Sequence, residues 1–317
     1  MIHELAEESA LRDLIENYFR TSFTTENPII TEAVKRMLAA GGKRLRPRIT
    51  LLAVEACGGN ANEQVHLAAY MELIHVATLI HDDVVDRAQM RRGVNATAID
   101  FGNRTSVLAG DYLFAWIFKN VTARYPAPIP EVLSTTLAEI CDGEVLQLRA
   151  LGDLSTTRDA YVTIATKKTA SLFAAGAECG AIVAGAQALR IAALRRFGEH
   201  YGVAFQMLDD LLDMTADSAV IGKPVGNDLS ERKMTIPLIL ALAQGDVALR
   251  TAVERYFADP AAPREPIIQG IERQGGLDAT RAEIARQIDE AKRALQPLKA
   301  TAAKEHLCDL AEALLNT

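Results

Sequence analysis

The chain has 317 residues, 49% of them apolar and 24% charged, a balance that supports a folded globular body and excludes disordered, collagen-like and low-complexity chains. Its formal net charge of −7 leaves no global basic footprint for a nucleic-acid partner. Cys57, Cys141, Cys179 and Cys308 lie far apart with no CxxC pair or His-Cys cluster, so they read as free thiols of a reducing compartment and not as a metal knuckle or redox motif.

In chain order, the opening MIHELAEESALRDL carries four acids and no apolar run, which is neither a signal peptide nor a transit peptide. Helical spacing of apolar residues then dominates. It predicts buried helices over 63–80, 109–121, 131–148, 159–188, 191–215 and 236–243, and amphipathic surface helices over 279–295 and 302–315. Two-residue alternation bounded by turn signals is absent, so no strands are expected. Within the fourth helix, residues 171–189 approach the length of a membrane span, with Glu178 as their one charge. Their alanines and glycines, with an acid near the middle, suit tight packing inside protein instead. The expectation is an all-α, single-domain bundle of roughly ten or more helices spanning 1–317, cytoplasmic and without a transmembrane segment.

One internal echo carries chemistry. Asp82-Asp83-Val84-Val85-Asp86 returns in spacing as Asp209-Asp210-Leu211-Leu212-Asp213, each at the end of an apolar helical stretch. On a helix the first and last aspartates of each motif share a face and repel. The negative end of the helix dipole adds to that repulsion. Oxygen ligands with no Cys or His cluster suit a hard cation, Mg²⁺ or Mn²⁺. Mg²⁺ is usually held by one or two carboxylates plus substrate phosphates, so the pair of motifs predicts a diphosphate substrate. A calcium-binding loop is excluded by the missing D-x-[DN]-x-[DN]-G spacing.

An acidic chain that binds diphosphate needs local cations. Gly41-Gly42-Lys43-Arg44-Leu45-Arg46-Pro47-Arg48 supplies four basic residues in eight, with glycines that leave backbone N–H groups open to phosphate. It is not a Walker A loop, because Arg44 follows Lys43 where Ser or Thr is required. Arg91-Arg92-Gly93 follows the first acidic motif closely enough to clamp phosphate oxygens there. Lys167-Lys168-Thr169 precedes the small-residue stretch, and Gly222-Lys223-Pro224 follows the second motif. His75 lies two helical turns before Asp82 on nearly the same face, which aligns it with the first cluster.

Taken together, these segments make the chain resemble the trans-prenyl diphosphate synthases (E-polyprenyl synthetases). The resemblance rests on GGKRLRP at 41–47, HVATLIHDDVVD at 75–86, RRG at 91–93, KKTASLF at 167–173, FQMLDDLLD at 205–213 and GKPVGNDL at 222–229. One departure stands out: Arg232 occupies the place of the glycine usual in DLxxGK, while Lys233 retains the lysine. The resemblance implies head-to-tail condensation of isopentenyl diphosphate with an allylic diphosphate, by a homodimer, on a helical bundle with a deep central cavity. It implies that Asp82, Asp83, Asp86, Asp209, Asp210 and Asp213 serve Mg²⁺. Arg91, Lys168, Thr169, Gln206 and Lys223 would hold the allylic diphosphate, with Lys233 in support. Lys43, Arg46, His75 and Arg92 would hold isopentenyl diphosphate. A terpene cyclase would leave that second basic set idle, and a non-catalytic partner subunit should have lost aspartates that are intact here.

The same resemblance sets a length for the product. Thr78 and Ala77, four and five residues before Asp82, are too small to block a growing prenyl tail beside that helix. Ile74, Met71 and Tyr70 follow on the same stripe, and Tyr70 lies about 18 Å from Asp82 at about 1.5 Å per residue. A product of about C30 to C40, suited to a quinone side chain, is expected.

Overall fold

A computed structural model describes residues 2–215 and 226–316, with side chains from Arg12 onward. Helices dominate it. α1 (Ile2–Ser22), α2 (Pro28–Ala39) and α3 (Leu45–Ala56) lead through a 3₁₀ turn into α4 (Val65–Val85). The short α5 (Thr97–Phe101) precedes the long α6 (Asn103–Arg124) and α7 (Ile129–Ala150). α8 (Arg158–Ala165), α9 (Ser171–Val183) and α10 (Ala188–Thr215) follow. Beyond residue 225 come α11 (Asn227–Ser230), α12 (Ile236–Leu242), α13 (Val247–Ala258), α14 (Glu265–Arg273), α15 (Gly276–Ala294) and α16 (Ala302–Glu312). Among the described residues no helix is long and apolar enough to cross a membrane.

The chain divides into two compact units, each assembled from three separate segments. The first comprises residues 1–134, 175–194 and 298–304. Its centre is α4, apolar almost all round as its sequence predicts, with Leu67, Met71, Leu73, Ile74, Val76, Ala77 and Ile80 buried. α9 packs on α3 so closely that a Cβ on Gly176 would lie 2.6 Å from Thr50 Oγ1, and one on Gly180 2.5 Å from the Thr50 carbonyl oxygen. Small residues therefore serve helix-to-helix contact there, as the reading of 171–189 anticipates. The second unit comprises 135–174, 195–297 and 305–317. In it, Phe173 packs edge-on against Tyr201, which in turn stacks on Phe197, while Gly198 and Gly202 let α10 approach the backbone of residues 170–174.

Two features depart from the sequence expectation. Residues 159–188 do not form one helix: α8 ends at Ala165, a π-helical turn occupies Thr166–Ala170, and α9 starts at Ser171. One extra residue per turn leaves apolar periodicity almost intact, so the pattern conceals it. A two-stranded antiparallel hairpin also appears, pairing Met90 with Asn95 and Arg91 with Val94. Two-residue strands are too short to show alternation.

Candidate active site

Each acidic motif sits at the C-terminal end of its helix. Asp82 and Asp83 lie in the last turn of α4 and Asp86 caps it, while Asp209, Asp210 and Asp213 lie in the last two turns of α10. The aspartates of each motif differ in environment. Asp83 has a fully buried side chain, clasped by Arg91 with Nε at 2.7 Å and Nη2 at 2.6 Å from Oδ1. Asp82 and Asp86 are half-buried. Asp209 is exposed, whereas Asp210 is buried and accepts hydrogen bonds from Gln206 Nε2 at 3.0 Å and Ile236 N at 3.2 Å. Asp213 accepts the backbone N–H groups of Asn227 and Asp228, both at 3.2 Å, at the start of α11. Burial lifts the pKa of both Asp210 and Asp213, against the pull of those hydrogen bonds.

The second unit adds a carboxylate that the motif reading does not single out. Asp228 is half-buried, and its pKa is raised by burial and then by the charges of Asp210 and Asp213, with Lys233 opposing. Its place in the segment ending at Lys233 is the signal that could have found it. Tyr161 of α8 is buried beside the same group, and burial followed by the Asp210 charge pushes its hydroxyl well above the usual tyrosine value.

The KKT segment forms the π-turn. Lys168 pairs with Glu144 of α7, a partner not anticipated from sequence, and Lys167 pairs with Asp142 at 3.2 Å. Thr169 Oγ1 donates to Gln206 Oε1 at 2.8 Å, so Thr169, Gln206 and Asp210 form one hydrogen-bonded line. π-turns recur at functional sites because they turn side chains in directions an α-helix cannot offer. Lys223 lies outside the described residues.

In the first unit the predicted basic residues gather around His75. Burial first, then the charges of Arg46, Arg92, Arg91 and Arg44, hold its imidazole well below the usual histidine pKa, so it is neutral at pH 7. Lys43 is exposed in the loop before α3. Arg92 Nη1 donates to the Gly41 carbonyl, bringing the GGK loop to the RRG turn. That turn is the two-residue loop of the hairpin, with φ of 49° at Arg92 and 79° at Gly93. Positive φ at both loop positions is what the right-handed twist of a hairpin selects. Arg44, buried, starts α3 with φ of 51° and binds Glu16 at 2.7 Å, Glu72 at 2.9 Å and the Leu38 carbonyl at 2.9 Å. It is an internal fastener of the basic motif.

Among the described residues, the non-glycine positions with left-handed backbone are Arg44, Arg87, Arg92 and Arg232. Such a conformation costs an L-residue about 1–2 kcal/mol. Three of the four fall inside the motifs, which fits strain held at functional sites.

Below the first motif, Ala77, Ile74 and Met71 are fully buried and Tyr70 is 1% exposed, while Thr78 is half-buried. The Thr78 hydroxyl donates to the His75 carbonyl at 2.8 Å. Tyr70 sits edge-on to Trp116 with centroids 6.2 Å apart, and the Tyr18 hydroxyl donates to its oxygen at 3.3 Å.

Among the described residues, no three His, Cys, Asp or Glu side chains are arranged to hold one ion. Oxygen donors in ones and twos fit a cation that completes its shell with water and phosphate oxygens, as Mg²⁺ does, better than an all-protein cage.

This fold and these motifs define a class. A family model described as polyprenyl synthetase matches residues 27–267. Octaprenyl diphosphate synthase of Escherichia coli is 40% identical over 279 residues, covering 87% of this chain and 86% of that protein. A decaprenyl diphosphate synthase from Rhodobacter capsulatus superposes with a TM-score of 0.89 at 39% identity, covering 99% of this chain and 97% of the other. A polyprenyl synthase from Caulobacter crescentus, solved with calcium and isoprenyl diphosphate, superposes with a TM-score of 0.89 at 36% identity, covering 98% and 95%. The chain belongs to the polyprenyl synthetase family. It is an enzyme, a trans-prenyltransferase that builds prenyl diphosphates.

Proposed function

We propose that the enzyme condenses isopentenyl diphosphate with an allylic diphosphate, head to tail, to give an all-trans product of about C30–C40 with Mg²⁺ (or Mn²⁺) as cofactor. The observation that carries this is the presence of two separate groups of anion-binding side chains. One surrounds a neutral His75, and the other is Lys168 with the Thr169–Gln206 line. Two sets suit two diphosphate substrates, whereas a cyclase needs one.

In this reading Lys43, Arg46, Arg92 and His75 bind isopentenyl diphosphate. A neutral His75 donates a hydrogen bond without adding to the charge already there. Lys168, Thr169, Gln206, Arg91, Lys223 and Lys233 bind the allylic diphosphate. Asp82, Asp86 and Asp209, the more accessible aspartates, hold the metal. Asp83, Asp210 and Asp213 brace them through Arg91, Gln206 and the start of α11. Bound Mg²⁺ would neutralise charge growing on the diphosphate as it leaves carbon. The allylic cation so formed is attacked by the isopentenyl double bond, and a proton is then lost. No protein nucleophile is required, and the departing diphosphate serves as the base.

We also propose a homodimer, formed through the exposed α6 side chains Val107, Leu108 and Tyr112, 40%, 60% and 39% exposed. Incubating the purified chain with both diphosphates tests the reading, with products dephosphorylated and resolved by chromatography. Chains of C30–C40 in Mg²⁺ and none in EDTA are expected. Full turnover in EDTA, or products of C20 and shorter, would overturn it.

A further inference from the structure

Arg232 stands in a position built for glycine. α11 ends in a paired closure in which Lys233 N donates to the Asp228 carbonyl at 2.9 Å and Arg232 N donates to the Leu229 carbonyl at 3.0 Å. That double bond pattern places the residue after the cap in the left-handed region, and Arg232 adopts it with φ of 58°. A side chain there is tolerated only when its surroundings hold it.

The surroundings do hold it. The Arg232 carbonyl accepts the Gly152 N–H at 2.8 Å. Its guanidinium lies against Gly152, so that a Cβ there would come within 2.5 Å of Nη2. The same group sits over the Phe257 ring, 5.7 Å from the centroid. The Ser230 and Tyr256 hydroxyls are 3.2 Å apart on the adjoining turn. The segment 227–233 is thereby fastened to the α7–α8 turn on one side and to α13 on the other.

This fastened segment meets the second acidic motif through its backbone. The backbone N–H groups of Asn227 and Asp228 cap Asp213. Lys233 lies 3.8 Å from Asp228 and pairs with Glu231. A glycine at 232 would allow the closure and keep the backbone bond to Gly152, but it would lose the guanidinium's contacts with Gly152 and Phe257. We infer that Arg232 is a positioning residue: it fixes the Asp228–Lys233 turn so that the Lys233 ammonium is held ready for the allylic diphosphate.

The inference rests on the proposed role of Lys233, and the test separates the two. Arg232→Gly relieves the backbone strain while removing the side-chain tether and keeping the backbone bond to Gly152, so the melting temperature stays near that of the parent. The KM for the allylic diphosphate should rise about fivefold, with kcat and the KM for isopentenyl diphosphate within about twofold. Arg232→Lys keeps the charge but loses the planar stacking and should recover only part of the loss. The double variant Arg232→Gly/Lys233→Ala should match Lys233→Ala alone, because both changes act through one ammonium. An unchanged allylic KM in Arg232→Gly beside a raised one in Lys233→Ala overturns the inference. So does a joint fall in stability, kcat and both affinities, which marks a merely structural residue. If Lys233→Ala leaves the allylic KM unaltered, the role of Lys233 fails first, and the inference falls with it.

Discussion

Gly143 sits on α7 where that helix meets the π-turn, and its replacement by alanine gives a perturbation of computable size. A Cβ there would lie 2.5 Å from Lys168 N, 2.9 Å from Lys168 Cα and 3.0 Å from the Lys167 carbonyl carbon. Ordinary contact begins at 3.4 Å, so the shortest of these is about 0.9 Å too close. All three obstructing atoms are backbone, and backbone cannot swing aside as a flexible side chain can. Overpacking of this kind costs about 1–3 kcal/mol. The better helix propensity of alanine offsets about 1 kcal/mol of that. Gly143→Ala should therefore fold, with a loss of about 0–2 kcal/mol in urea titration. The displaced group, however, carries Lys168 and Thr169. A shift of about 1 Å in a positioning group can cost about 100-fold in rate. Steady-state kinetics on the folded variant should show kcat/KM down by about that factor. A folded Gly143→Ala enzyme within twofold of parental kcat/KM would refute the claim that the π-turn sets the position of Lys168.

Other consequences can be checked in the same preparation. Lys43→Ala and Arg46→Ala should raise the KM for isopentenyl diphosphate more than that for the allylic primer, and equal effects in steady-state assays would undo the division of basic residues. Thr78→Phe, at a side chain that reaches solvent, should shorten the product to C15–C20 by chromatography. Ala77→Phe should do the same at a cost in stability, because Ala77 is fully buried. Tyr70→Ala removes the ring set against Trp116 and should lengthen the product, whereas unchanged chains would place the tail elsewhere. His75 has its folded pKa depressed, so the unfolded chain binds the proton more readily. Its contribution to stability is whole above the unfolded pKa of about 6.5 and falls as pH drops toward the folded value. His75→Gln should therefore flatten the decline in melting temperature below pH 6.5, and an unaltered slope would show that His75 titrates freely.

How much of this was legible beforehand depended on the range of the interaction. The two aspartate motifs could be placed at helix ends because apolar periodicity and an i,i+4 spacing are local properties. The α9–α3 contact was foreshadowed by alanine and glycine content, since small residues record the closeness of a neighbour even without naming it. The clasp of Asp83 by Arg91 was not legible, because eight residues and a chain reversal separate them. Nor was the division between Arg44, spent on Glu16 and Glu72, and Arg46, which stands among the cations around His75. Four basic residues within six positions look alike until the backbone turns left-handed at one of them. Asp228 is not legible in the sequence because its significance comes from Asp210 and Asp213, brought to it by the fold.

The π-turn at Thr166–Ala170 makes the count of residues, and not only their kind, a constraint on this enzyme. Each residue of an α-helix advances the chain by about 100°. Deleting one residue from the turn would let it close into ordinary helix, and because four residues at that advance turn through nearly the same angle as the five of the wider π-turn, α8 would keep nearly its orientation relative to α9. Tyr161 would stay beside Asp210 and Phe173 against Tyr201, and the change would fall on Lys168 and Thr169, whose directions the turn sets. A substitution on α8 leaves those directions alone, but a change of length in the turn does not. The segment from Arg158 to Ser171 should accordingly behave as a fixed-length ruler, open to drift in composition and closed to insertion or deletion.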